Sequence, residues 1–233
     1  MNARSAARFF DGIAGRYERA YALPSEESRR RMPYVLRELP APPARVLDLG
    51  VGTGRELPPL LDAGYSPTGL DASAAMLARC ARRSRPVPLV HADFWQPLPF
   101  PDDAFDAAIA LHGTLAHPPD GDAIARLARE VARVVRPGGT WVVEAPAPAW
   151  LERLELPPVG APAAAGPSTP SGDGRVVRTG PRTCVYEDLV VGVSIEARLL
   201  DADEWRAALG QAWKTRVEPL GDREWLVVAK RAR

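Results

Sequence analysis

Between residues 45 and 145, short apolar runs alternate with segments whose apolar positions recur every three or four residues. The runs predict strands at Arg45–Leu49, Ser66–Leu70, Pro88–His91, Phe105–Leu111 and Thr140–Ala145. Between them lie predicted helices: one through Leu57, Leu60 and Leu61 closed by Gly64, one over Ser73–Arg83 with Met76, Leu77 and Cys80 facing inward, and one over Asp122–Arg136. The last carries Ile124, Leu127, Val131, Val134 and Val135 at helical spacing and is stopped by Pro137-Gly138-Gly139. The run Phe105–Leu111 lacks polar alternation, as a strand buried on both faces does. Strand and helix alternating in this rhythm predict an α/β fold, a mostly parallel sheet with helices on both faces.

The flanks depart from that rhythm. Phe9, Ile13, Tyr17 and Tyr21 recur every four positions and predict one helix from Ser5 to about Tyr21. A second runs from about Ser25 to Leu39, with Pro33 expected to kink or divide it. Beyond Pro146, the Pro-, Ala-, Gly- and Ser-rich stretch Pro157–Gly174 reads as a loop, and Arg182–Leu200 as antiparallel strands. Asp201–Gln211 reads as a helix capped by Asp201 or Asp203. The strands Lys214–Pro219 and Glu224–Lys230 close the chain as a hairpin. The expected organisation is a helical lid (1–44), a Rossmann-like core (45–146), an inserted loop with antiparallel strands (147–200), and a final helix and hairpin completing the core (201–233).

Composition narrows the function classes. A length of 233 residues, 46% hydrophobic and 25% charged, suits one α/β domain with modest additions. The net charge of +1 gives no reason to expect nucleic acid or an anionic membrane as partner. Cys80 and Cys184 fit neither a metal spacing nor a disulfide framework, so no metal is expected. No apolar run approaches membrane-spanning length and no signal sequence is recognisable, which leads us to expect a soluble, cytoplasmic protein. The arginines are numerous but scattered, and Arg29, Arg30 and Arg31 read as a solvated helix face.

Candidate chemistry begins at Val46-Leu47-Asp48-Leu49-Gly50-Val51-Gly52-Thr53-Gly54, a strand emptying into closely spaced glycines. Without Cβ atoms a ligand can lie against the backbone, although a tight connection with no ligand would look similar. Asp71 ends the second strand about twenty residues after the first glycine, where a carboxylate can hold a ribose diol; Asp71 or Ser73 could instead cap the next helix. Spacing separates the nucleotide classes. The dinucleotide fingerprint is G-x-G-x-x-G, whereas this chain has G-x-G-x-G preceded by Asp48. An acid there disfavours a pyrophosphate and suits a cationic ligand with an amino-acid head. Asp93-Phe94 after the third strand could bond and stack on adenine, or merely cap a turn. The end of the fourth strand, Leu111-His112-Gly113-Thr114, faces the glycines across the topological switch point.

With these motifs, residues 9 to 146 resemble the class I S-adenosylmethionine-dependent methyltransferases, especially the small-molecule group that includes ubiquinone and menaquinone biosynthesis C-methyltransferases. Further carriers of the resemblance are Val131-Ala132-Arg133-Val134-Val135-Arg136-Pro137-Gly138-Gly139 before the fifth strand, and Phe10-Asp11 with Tyr17, where Glu18 replaces the usual aspartate. The resemblance implies a seven-stranded sheet whose last strand is antiparallel between two parallel ones. It implies S-adenosylmethionine as cofactor and S-adenosylhomocysteine as product. It also implies a cofactor site at Tyr17, Asp48, Gly50, Val51, Gly52, Thr53, Asp71, Ala72, Met76, Asp93, Phe94 and Leu111. The acceptor would be a small molecule, with Arg16, Tyr17, Tyr21, Trp150 and Tyr186 as candidate lining, although most of these aromatics could equally be packing. Methyl transfer needs aim and dryness more than a base; if there is a base, His112 and His117 are the candidates, the alternative being that they contact cofactor or backbone structurally. An NAD(P)-dependent reductase and a non-catalytic protein that binds the cofactor or its product are the rival readings. A nucleic-acid methyltransferase would carry an Asn/Asp-Pro-Pro-Tyr run where this chain has Leu111–Thr114.

Overall fold

The computed structural model describes residues 3–20, 25–83, 85–154 and 174–233. Its centre is a seven-stranded sheet in the order β3-β2-β1-β4-β5-β10-β9. The strands are β1 (Arg45–Leu49), β2 (Ser66–Asp71), β3 (Leu89–His91), β4 (Phe105–Ala110), β5 (Val135–Pro146), β9 (Trp213–Leu220) and β10 (Glu224–Arg231). The first five pair in parallel, and β10 runs antiparallel to both β5 and β9. The last strand therefore lies between two strands that are parallel to one another, as the family resemblance implies.

Burial explains this arrangement. Val46, Leu47, Leu49, Ala107, Ala108, Ile109 and Val142 are buried in the central strands, so both faces need covering. On one face α6 (Ala123–Val134) lays down Ile124, Leu127 and Val131, and α8 (Ala202–Leu209) adds Trp205 and Leu209. On the other, α3 (Ser25–Leu36) and α4 (Leu57–Asp62) contribute Met32, Val35 and Leu60. Asp201 begins α8 with a full capping box, accepting from the Asp203 and Glu204 amides while the Glu204 carboxylate takes the Asp201 amide.

A second, three-stranded antiparallel sheet joins β6 (Gly174–Arg178), β7 (Thr183–Asp188) and β8 (Val193–Arg198). Ile195 and Val193 of β8 pack on Phe9 and Ile13 of α1 (Ala3–Ile13) and on Met76 of α5 (Ala74–Arg83). This sheet and α1 form a wall and roof beyond the strand ends of the main sheet. They enclose the space where β1 is flanked by β2 on one side and β4 on the other, the switch point of the sheet.

Four expectations change. The N-terminal helix is not continuous to Tyr21. It stops at Ile13 and restarts as the single turn α2 (Tyr17–Ala20), because the intervening Arg16 swings out to pair with Asp188 at 3.0 Å. Pro33 does not divide α3, which continues to Leu36 with the proline on its exposed side. The fifth strand starts at Val135, and its register against β4 skips from Val135 to Thr140 across Pro137-Gly138-Gly139. Strand β6 was not foreseen; the segment assigned to a loop meets the described residues only at Gly174, and Tyr21 also lies outside them.

Candidate functional site

At the switch point a cavity of about 340 Å³ opens above the ends of β1, β2, β4 and β5. Its floor is the turn after β1. Gly50 and Val51 donate their amides to the Leu70 carbonyl at 2.8 and 3.0 Å, tying the turn to β2. Two glycines are required there for different reasons. Gly50 sits at φ +71°, and a Cβ would come within 2.4 Å of Thr114 Cγ2, so the loop after β4 can close on the turn only over glycine. Gly52, at φ +53°, would direct a Cβ into open space, its nearest contact the Gly50 carbonyl at 3.9 Å. The side chain of Val51 packs away from the cavity with Leu57, Leu77 and Cys80, leaving its backbone on the cavity lining.

Carboxylates converge on that floor. Asp71 accepts the Gly52 amide on Oδ2 and the Ser73 amide on Oδ1, both at 2.8 Å, and its remaining lone pairs are available to the cavity. Burial raises its pKa, and those amide bonds oppose the rise. The helix cap that competed with the ribose reading is largely supplied by others. Ser73 Oγ accepts the Met76 amide at 3.1 Å and donates to Asp11 Oδ1, which also takes the Ala75 amide. Asp48 is buried with one oxygen, Oδ2, lacking any hydrogen-bond partner. Burial first, then the negative charges of Glu56 and Asp71, push its pKa well above the ordinary carboxylate range. A buried acid crowded by two more is the environment a cation relieves.

The other expected positions line the same cavity: Thr53, Ala72, Met76, Asp93, Phe94, Leu111 and Tyr17. Asp93 Oδ1 caps the Trp95 amide at 3.0 Å, and Phe94 tilts against Trp95 with ring centres 4.9 Å apart, while both residues also line the cavity. Thr53 offers the cavity its backbone, since its hydroxyl is donated to Glu18 of α2. Glu18 also binds Arg55 at 3.2 Å and Arg83 at 2.6 Å, which ties α2 to the glycine turn and to α5. Arg55 lies 5.9 Å over the Tyr17 ring, and burial raises the Tyr17 phenol to about 12, so it remains a donor at neutral pH.

The two histidines differ. His112, held at φ +55°, bonds Glu56 Oε1 through Nε2 at 2.5 Å, and its buried Nδ1 has no partner. Burial lowers the imidazole pKa, but the Glu56 hydrogen bond and charge, with Glu144, outweigh it and raise the pKa overall. His117 instead sets Nδ1 2.7 Å from the Glu196 carbonyl, and burial holds its pKa below the usual value. Of the proposed acceptor residues, Trp150 and Tyr186 line the cavity as a stacked pair 5.8 Å apart. Arg16 does not, being spent on Asp188.

Arg31 corrects another expectation. It is not solvated but reaches Glu144 on β5 and Glu224 on β10, the latter at 3.0 Å. Both glutamates border the cavity. Replacing Arg31 with Met should cost about 2–4 kcal/mol in a denaturant melt, because Glu144 would be left buried beside a like charge. Glu56, Glu144 and Glu224 were missed by the sequence reading. Glu144 carried a usable signal, a single acid in the otherwise apolar run Thr140–Ala145. Among the described residues no cluster of His, Cys, Asp and Glu could hold a metal ion, and no helix is long and apolar enough to cross a membrane.

Known proteins share this architecture. Residues 46–139 match the family described as a methyltransferase domain. Demethylmenaquinone methyltransferase of Corynebacterium kroppenstedtii is 36% identical over 148 residues, covering 60% of this chain and 59% of that protein. The chain thus spans about three fifths of the length of the curated relatives it matches. Among solved structures, the CcbJ methyltransferase from Streptomyces caelestis superposes with a TM-score of 0.74 at 20% identity, covering 100% of both chains. CalS10, a SAM-bound amino pentose methyltransferase from Micromonospora echinaspora, gives 0.69 at 21% identity, covering 94% of this chain and 97% of that one. The fold is thus shared with solved methyltransferase structures, and residues 46–139 match a methyltransferase domain. By sequence the chain resembles demethylmenaquinone methyltransferases.

Proposed function

We propose that the chain transfers a methyl group from S-adenosylmethionine to a small-molecule acceptor by in-line displacement. The observation that carries this reading is the buried, unpartnered oxygen of Asp48 on the cavity floor, beside Glu56 and Asp71. A pyrophosphate would add negative charge to that crowd, whereas a ligand bearing an ammonium and a sulfonium relieves it. The cofactor, when bound, supplies an electrophilic methyl group on positively charged sulfur and leaves as the neutral thioether S-adenosylhomocysteine.

The chain's own residues do the positioning. The backbone of Gly50–Thr53 cradles the ligand, Asp48 faces its cationic head, and Asp71 takes the ribose hydroxyls. Ala72 and Met76 flank the adenosine, Asp93 and Phe94 hold the adenine, and Leu111 closes the side toward β4. Tyr17, pinned through Glu18 and Arg55, covers the site and excludes water. In this reading the described residues of 1–44 form the lid, those of 45–146 the core that binds cofactor, and those of 147–200 a wall of the acceptor space. The setting we assign is the cytoplasm, where Cys80 and Cys184 remain thiols.

Two acceptor classes are suggested by the names of similar proteins, a menaquinone precursor and an amino sugar. Incubating the protein with S-adenosylmethionine and representatives of both, and following S-adenosylhomocysteine by mass spectrometry, tests the activity. Acceptor-dependent product supports the reading; cofactor binding without turnover on any acceptor favours a sensor. Asp71→Ala should weaken cofactor binding by about 1–3 kcal/mol, the loss expected of a buried charged hydrogen-bond partner. Unchanged affinity in a titration would remove the ribose assignment.

A further inference from the structure

We propose that His117 is the proton acceptor of the transfer step and that the acceptor molecule bears an O–H or N–H on an apolar body. The inference rests on the methyl-transfer reading above. A carbonyl oxygen can only accept, so the 2.7 Å contact to the Glu196 carbonyl fixes the hydrogen of His117 on Nδ1. In the neutral ring this leaves the lone pair on Nε2, and His117 lines the cavity. It follows directly on the 3₁₀ turn Thr114–Ala116 that extends β4, so the main sheet positions its backbone while β8 of the small sheet orients its ring. Phe10 of α1 meets the ring edge to face at 6.1 Å.

Its surroundings keep it neutral. The buried Ala116, Ala197 and Leu199 lie around this end of the cavity, with Trp150 and Tyr186 beside them. The titratable groups on the packed elements include Tyr17 and Tyr186 on the cavity, Cys184 of β7, whose thiol burial raises to about 12, Arg198, paired with Glu204, and Glu196, whose carboxylate is on the exposed side of β8. On α1, Asp11 is engaged with Ser73; on β7, Glu187 and Asp188 are paired with Arg175 and Arg16; and Glu152 and Arg153 of α7 (Pro148–Arg153) are exposed. Burial lowers the imidazole pKa, and the Glu196 hydrogen bond offsets only part of this. His112 cannot serve in the same way. Its Nε2 is committed to Glu56, which favours the protonated ring, and that ring is a donor on both nitrogens.

In the step itself the acceptor's X–H bond breaks and its proton passes to Nε2, giving imidazolium. The freed electron pair of the acceptor forms the new bond to the methyl carbon. The pair of the broken carbon–sulfur bond stays on sulfur, and the imidazolium later returns its proton to solvent. The acceptor class follows from the lining. Aromatic and aliphatic walls suit an apolar body, and Glu144 and Glu224 on the same cavity repel an anionic one.

The test uses the protein loaded with S-adenosylhomocysteine and two probes, phenol and benzylamine, with anisole as the probe lacking a donor. Nitrogen NMR of the histidines should show His117 as the Nδ1–H tautomer at neutral pH, with Nε2 shifting on addition of phenol or benzylamine and not of anisole. His117→Ala should weaken phenol or benzylamine at least about fivefold and leave S-adenosylhomocysteine affinity within about twofold. With a true acceptor it should lower kcat about 10²-fold or more, the usual scale of lost proton transfer. The phenol arm responding alone assigns a hydroxyl acceptor, and the benzylamine arm alone an amine. An Nε2–H tautomer, a charged ring at neutral pH, or no response of His117 to either probe would overturn the proposal. Failure of S-adenosylhomocysteine to bind at all would instead strike the underlying function.

Discussion

Asp48→Asn should make the ligand-free protein more stable and at the same time bind S-adenosylmethionine about 10- to 100-fold less tightly. Both signs follow from one geometry. The carboxylate is buried, Oδ2 has no partner, and Glu56 and Asp71 add like charge. A folded pKa above the unfolded one means that folding opposes ionisation, at about 1.4 kcal/mol per pKa unit. In acid, below the ordinary aspartate pKa, both states hold the proton and wild type and variant should melt alike. As pH rises toward the elevated folded value, the wild type loses that contribution and the gap opens, reaching its full size above it. Affinity for the cationic ligand runs the other way. It should rise with pH in the wild type as Asp48 ionises, and stay nearly flat in the variant. Thermal melts and titrations at several pH values check both halves. A variant that loses stability and affinity together would mark Asp48 as ordinary core.

The glycine turn offers the second contrast. Gly50→Ala should cost about 3 kcal/mol or more, because a left-handed conformation and a Cβ 2.4 Å from Thr114 Cγ2 add strain to overpacking. Replacing Thr114 with Ala in that background should recover the overpacking part and leave the backbone part. Gly52→Ala carries the backbone strain alone, about 1–2 kcal/mol, since its Cβ meets nothing nearer than 3.9 Å. Its methyl would stand on the cavity floor, so affinity for S-adenosylhomocysteine should fall about tenfold or more while the fold survives. Were both variants equally destabilised and both unchanged in affinity, the turn would be only a connection between β1 and α4.

The main sheet was legible because its strands bury both faces, and continuous apolar runs such as Ala107–Leu111 announce that without reference to partners. The positions around the main cavity were legible for a related reason: a glycine turn and strand-end acids sit at fixed offsets from those strands, and each of the residues expected to hold a cofactor lines the same cavity. What escaped depends on contacts between distant segments. The break after Ile13 is set by Arg16 finding Asp188, 172 positions away. Arg31 looked like a solvated arginine because Glu144 and Glu224 lie on strands far along the chain. His112 and His117 are near neighbours in sequence and could not be told apart until Glu56 and the Glu196 carbonyl were seen beside them.

Calorimetric titration of the protein with S-adenosylmethionine, S-adenosylhomocysteine and NADPH in parallel tests the central claim most directly. A negatively crowded cavity floor predicts micromolar binding of the first two and no binding of NADPH. Binding of NADPH, with no heat from either sulfur compound, would contradict it and turn the site over to a reductase.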